Sequence, residues 1–301
     1  MAKVFLRHWI IISYAILPAG LYLTGGCGQS QAKYLTPQRF DRGLVIILPG
    51  IEGNSPLNQD IRRGLEVAGI DSAISIYQWG RPIPIAGPLI NQMDILGNRL
   101  EARRIAQVVE SYQDTYPGRS VYIIGHSGGG GMAVFAAEAL HEDHKIDGLV
   151  LLSTSISSGY DLSKAMEKCN KGIVNFFSPS DFGLLVIGTT LAGNVDGVRG
   201  PAAGAYGFDM PDFKRQPQKI NTYRKLYQYG LDPQQAGGLI GAHASTTRWS
   251  FVSRNVVPWI TTKRWPPSAS YHLAQFQAAN PPDAQQTASE PNPLVNSQDQ
   301  P

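Results

Sequence analysis

Residues Val121-Tyr-Ile-Ile-Gly-His-Ser-Gly-Gly-Gly-Gly131 decide how this chain reads. Val121 to Ile124 is a short apolar run rich in β-branched residues, long enough for one buried strand. Gly125-His-Ser-Gly-Gly129 follows at once, and Met132 to Leu140 is made of good helix formers. A serine on so sharp a strand-to-helix turn needs strained dihedrals and neighbours with almost no side chain, because the flanking backbones come close. The glycines around Ser127 meet that need. A serine that merely caps a helix is the blander alternative. The strand before it and the helix after it favour a G-x-S-x-G nucleophile elbow.

Outward from the elbow, apolar strands at Leu44–Leu48, Ala73–Trp79, Gly148–Leu152 and Ile173–Phe177 alternate with helical stretches. Asn58 to Ala68 begins at a capping residue and stops at Gly69. Asn98 to Tyr116 starts with a capping-box-like Asn98-Arg-Leu-Glu101 and sets Leu100, Ile105, Val108, Val109 and Tyr112 roughly along one face. Trp249 to Ile260 is apolar and helical in character. Strands alternating with helices predict an α/β fold with a mostly parallel sheet covered on both faces, in one large domain.

With these features the chain resembles the α/β-hydrolase superfamily from about Leu44 to Ile260. The resemblance implies a nucleophile, an acid and a histidine in the order Ser, Asp or Glu, His. Ser127 takes the first role. Pro49-Gly-Ile-Glu-Gly53, directly after the Leu44–Leu48 strand, matches the oxyanion loop by position and glycines, with Pro49 where the family often has histidine. The oxyanion donors would be the Ile51 and Gly128 amides; Glu52 reads as a solvated carboxylate. Asp181, in Ser178-Pro-Ser-Asp181 just past a late strand, takes the role of the acid. Asp161 competes for it, although its sequence also fits a helix N-cap before Leu162 to Cys169; Asp196 reads as a turn residue. His243, in a small-residue loop ahead of the last helix, takes the role of general base, with His272 in reserve. His126 belongs to the elbow with its side chain directed away from Ser127, and His141 and His144 sit where a helix ends.

These roles imply acyl transfer to Ser127, and hydrolysis of an ester or thioester without organic cofactor or metal. The substrate would be a small-molecule or lipid acyl ester, its leaving group unspecified. The alternative is a non-catalytic envelope protein that keeps the fold as a binding or scaffold module. The connection ahead of Ile173 leaves no room for a cap domain. Arg81-Pro-Ile-Pro-Ile-Ala-Gly-Pro-Leu-Ile90 and the loop from Gly193 to Phe208 either shape the pocket or are packed connections.

The ends read differently from the middle. Lys3 and Arg7 precede an apolar run from Trp9 to Leu23, then Thr24-Gly-Gly-Cys27. These are the features of a secretory signal, too short for a comfortable membrane span. The segment resembles a bacterial lipobox, which implies loss of residues 1–26, lipidation of Cys27 and a membrane-anchored location in the cell envelope, periplasmic or secreted forms being the alternatives. Residues 27–42 read as a linker, 43–279 as the hydrolase domain and 280–301 as a disordered polar tail. Cys169 is the other cysteine, so no intramolecular disulfide framework is expected. A net charge of +3 with scattered cations gives little support for nucleic-acid binding.

Overall fold

The computed structural model describes residues 31–80, 94–179, 193–231 and 243–266. Among these residues one six-stranded sheet runs in the order β2-β1-β3-β4-β5-β6, with every neighbouring pair parallel. Its strands are β1 (Leu44–Leu48), β2 (Ala73–Ile76), β3 (Val121–His126), β4 (Ile146–Leu152), β5 (Cys169–Phe177) and β6 (Leu226–Gly230). The principal helices are α1 (Pro56–Val67), α2 (Ile95–Thr115), α3 (Gly128–Ala139) and α4 (Ser163–Glu167). A last helical run follows β6: Trp249–Phe251, a π-helical turn Val252–Val256, then Val257–Thr261.

Side-chain parity explains the layering. Leu44, Ile46, Leu48, Ile123, Leu149 and Leu151 face one side and pack with Ile105 and Val109 of α2 and Met132 and Phe135 of α3. Val45, Ile47, Ile74, Ile124, Val150 and Leu152 face the other, against Ile61 and Leu65 of α1 and Val252 and Val256 of the last run. Both faces are buried, so β1 and the Leu149–Leu152 part of β4 read as continuous apolar runs instead of alternating ones. Each fully buried Leu or Ile contributes about 1.5–3 kcal/mol over exposure.

The element boundaries follow local chemistry. α1 starts two residues before the expected Asn58, because Ser55 is its N-cap and the Asn58 side chain accepts from the Ser55 amide at 2.9 Å. α2 starts at Ile95, ahead of the expected Asn98, since Asp94 Oδ1 accepts from the Gly97 amide at 2.9 Å. The π turn lies just ahead of Pro258, whose ring excludes the carbonyl of Arg254 from a regular α-helical position. β6 was not among the expected strands. Among the described residues it is an edge strand, and its exposed end, Tyr229 and Gly230, breaks the apolar run.

Residues 31–42 are not a free linker. Tyr34 is buried against the second core, its carbonyl accepts from Ile74 N at 3.1 Å, and its hydroxyl donates to Glu66 at 2.6 Å. Gln31 Nε2 donates to Ile76 O at 3.3 Å, and Arg39 Nη1 to Ser72 O at 2.9 Å. Cys27 and the tail 280–301 lie outside the described residues, and no described helix is long and apolar enough to cross a membrane.

Candidate active site

The sheet order reverses at β1: β2 lies on one side of it and β3 on the other. In an open parallel sheet the carboxyl ends at such a switch point border a crevice where ligands bind. The loop after β1 and the elbow after β3 meet there.

Ser127 is the N-cap of α3 at φ 53°, ψ −124°. For a residue with a Cβ such a conformation costs on the order of 1–3 kcal/mol and persists only where the surroundings enforce it. They do. Ser127 N donates to Leu152 O at 3.0 Å, extending the ladder to β4, and Ser127 O accepts from Gly130 N at 3.0 Å and Ser155 N at 2.9 Å. The serine itself is 94% buried in the turn, at 6% exposure.

The glycines make this packing possible. A Cβ on Gly125 would lie 2.4 Å from Gly129 O, and one on Gly129 would lie 2.2 Å from both Leu48 O and Pro49 O. Gly130 is closed by Thr154 and Gly131 by Val195. Four glycines therefore open α3, although glycine is the poorest ordinary helix former. The helix begins at Gly128, four residues before the expected Met132, because backbone must pass over the end of β1 here. Its amino terminus is a positive dipole end.

The Pro49–Gly53 loop lies beside it. The Ile51 side chain stands 2.9 Å from where a Cβ on Gly128 would be, and the Trp79 ring 3.3 Å from it. Trp79 Nε1 donates to Pro49 O at 2.7 Å, fixing the loop to the chain beyond β2. Ile51 and Gly128, the expected oxyanion donors, are thus neighbours.

His243 opens the last described segment and is half-buried. Its carbonyl lies 3.2 Å from Nε2 of His126, the residue before Ser127, and the two rings are tilted with centroids 4.9 Å apart. Three residues on, Thr246 shares a 3.2 Å hydrogen bond with Ser153 Oγ, at the end of β4. Ser153 is the second non-glycine residue at positive φ, 46°. The base candidate is therefore brought to the elbow.

Asp181 and His272 lie outside the described residues, as do residues 81–90. Asp161 is described and is committed elsewhere. Its carboxylate accepts from Ser163 N at 3.0 Å, Ser163 Oγ at 2.6 Å, Lys219 Nζ at 2.7 Å and Tyr223 Oη at 3.1 Å. Desolvation opposes its charge, but Lys219 and these hydrogen bonds prevail and hold its carboxyl well below the usual range. It bridges the start of α4 to the chain before β6. Asp196 lies in a turn and receives the Ser157 hydroxyl and amide. Residues 193–208 form a packed connection, with Val195, Ala202, Ala203 and Ala205 buried.

Glu52 is exposed, as a solvated carboxylate would be, but its side chain leans inward, with Oε1 3.7 Å from His126 Nδ1. Gly50 leaves room for this, since a Cβ there would lie 2.1 Å from Glu52 Oε2. Burial raises the Glu52 pKa, yet the adjoining His126, with His243 nearby, outweighs that and leaves the carboxyl below its ordinary value. The sequence signal was slight: a glycine two positions before an acid.

Residues 43–179 match the family described as alpha/beta hydrolase fold. With the all-parallel sheet, this gives the chain the α/β-hydrolase fold. No curated protein matches the chain. Among solved structures it is similar to RedJ with a PEG molecule bound in the active site, at 13% identity over 79% of this chain and 89% of that one, TM-score 0.36. It is also similar to the surfactin-cyclising thioesterase domain SrfTE, at 12% identity, 73% and 92% coverage and TM-score 0.36. A third is a predicted CIB-like hydrolase from Thermoplasma acidophilum, at 15% identity, 62% and 89% coverage and TM-score 0.32. At these scores the structural likenesses carry no argument about chemistry.

Proposed function

We propose that the chain is a serine hydrolase of carboxylic esters or thioesters, exported and held at a membrane surface by lipid on Cys27. The observation that carries the reading is the strained Ser127 elbow at the switch point. Strain held in place by a surrounding hydrogen-bond frame is expected of a functional residue. The family match supports hydrolase chemistry, and the nearness of His243 supports a base within the same site.

In this reading His243 accepts the Ser127 proton as Oγ attacks the acyl carbonyl, and Asp181 holds the imidazole tautomer and its cation. The Ile51 and Gly128 amides receive the charge that develops on oxygen, each donor contributing on the order of 3 kcal/mol. The alcohol or thiol departs with the proton from His243, and water activated by the same histidine clears the acyl-serine.

A fluorophosphonate probe tests the reading, since only an activated serine is labelled. Labelling of the wild type that is lost in Ser127→Ala is the expected result. An unlabelled, folded wild type sinks it. A series of p-nitrophenyl esters of increasing chain length then defines the acyl group accepted.

A further inference from the structure

His126 is the last residue of β3 and fully buried. A carbonyl oxygen can only accept, so the 3.2 Å contact with His243 O requires the proton on Nε2. Nδ1 then has no hydrogen-bond partner among the described residues, although it is buried. An orphaned polar atom inside a protein costs on the order of 1–3 kcal/mol, so its setting calls for a reason. The polar group facing it is the Glu52 carboxylate at 3.7 Å, folded over the space that Gly50 leaves.

One imidazole thus faces the loop after β1 on its Nδ1 side, continues into Ser127 through the chain, and reaches the histidine segment through Nε2. We propose that His126 is a positioning residue for hydrolysis: its Nε2–H holds the backbone of His243, and the unpartnered Nδ1 is what that tautomer costs. The proposal rests on the reading of His243 as general base. His126 touches neither the acyl group nor the attacking oxygen; it sets where the base stands.

The test uses the full chain and p-nitrophenyl ester turnover, with kcat and KM separated. His126→Phe keeps the ring volume but removes both nitrogens. It is expected to lower kcat 10- to 100-fold, the cost of misplacing a catalytic group by an ångström or less, with KM within twofold. His126→Gln places an amide N–H near the former Nε2 and is expected to recover most of kcat. Wild-type kcat in His126→Phe, or equal losses in Phe and Gln variants, overturns the proposal. Should His126→Phe not fold, His126→Asn, whose amide ends short of the former Nε2, decides, and wild-type kcat there overturns it. A His243→Ala control separates the two readings: survival of activity in that variant removes His243 as base, whatever His126 does.

Discussion

At the scale of single residues, Ser127 and Asp161 are opposites. Ser127 is held in a conformation that L-residues avoid, and that cost is tolerated where chemistry needs the hydroxyl presented. Ser127→Ala keeps the strain and should leave stability near wild type while kcat falls by several orders of magnitude. Ser127→Gly removes it and should unfold at higher denaturant than Ser127→Ala, by about 1 kcal/mol, with equally little activity. Equal stabilities in the two variants would falsify the strain argument. Asp161 holds four polar contacts and no proposed role in the reaction. Its carboxyl pKa is lowered on folding, so its stabilisation is present above the ordinary carboxylate pKa and is lost as pH falls through the folded value. Asp161→Asn should therefore flatten the fall in stability on acidification below about pH 4 and cost about 1 kcal/mol at neutral pH. Activity should change little. Asp181→Asn, by contrast, should reduce kcat on the order of 10⁴-fold by favouring the wrong histidine tautomer. Paired assays showing the reverse pattern would transfer the acid role to Asp161.

At the scale of elements, α3 crosses β1 on glycine alone. Gly129→Ala drives a methyl into the carbonyls of Leu48 and Pro49, which are backbone and cannot rotate away. We expect a loss of about 1–3 kcal/mol in chemical denaturation, as for other overpacked sites, with a larger fall in kcat as Gly128 is pushed off its place. Trp79→Phe leaves a smaller aromatic ring, drops the bond to Pro49 O and loses packing beside Gly128, and should lower kcat more than stability. The strands that were legible in the sequence were those buried on both faces. Leu44–Leu48 appears with its full length because every position is apolar. What escaped was tertiary in origin. The start of α3 was hidden because Gly128 to Gly131 argue against helix locally and are required by a contact with a distant strand. β6 was hidden because an edge strand is half-polar, and β5 began at Cys169, earlier than Ile173, across the irregular Gly172 at φ 130°. The sharp turn at Ser127 had a signal in the glycines around it. The inward turn of Glu52 had none as clear, since nothing local tells a solvated carboxylate from one aimed at a buried histidine.

At the scale of the whole molecule, β1, β3 and β4 end together, and the segments after them carry the loop, the elbow and the strained Ser153 that ties down the histidine segment. The docking of residues 31–42 on the sheet bears on how such a domain meets its substrate. Gln31 binds the carbonyl of Ile76, which ends β2 and lies level with Ile47, so the chain enters the fold on the same edge as Ser127. From Cys27 to Gln31 there are four residue steps, at most about 14 Å fully stretched. Lipid on Cys27 would thus act as a short leash, pressing the mouth of the enzyme toward the bilayer and leaving its back to the aqueous side. Reach and orientation, more than pocket shape, would then choose among esters. Inserting a flexible twenty-residue spacer after Gly28 should leave hydrolysis of a soluble short-chain ester unchanged. It should slow hydrolysis of an ester embedded in vesicles, and equal rates on both substrates would show that the leash sets nothing.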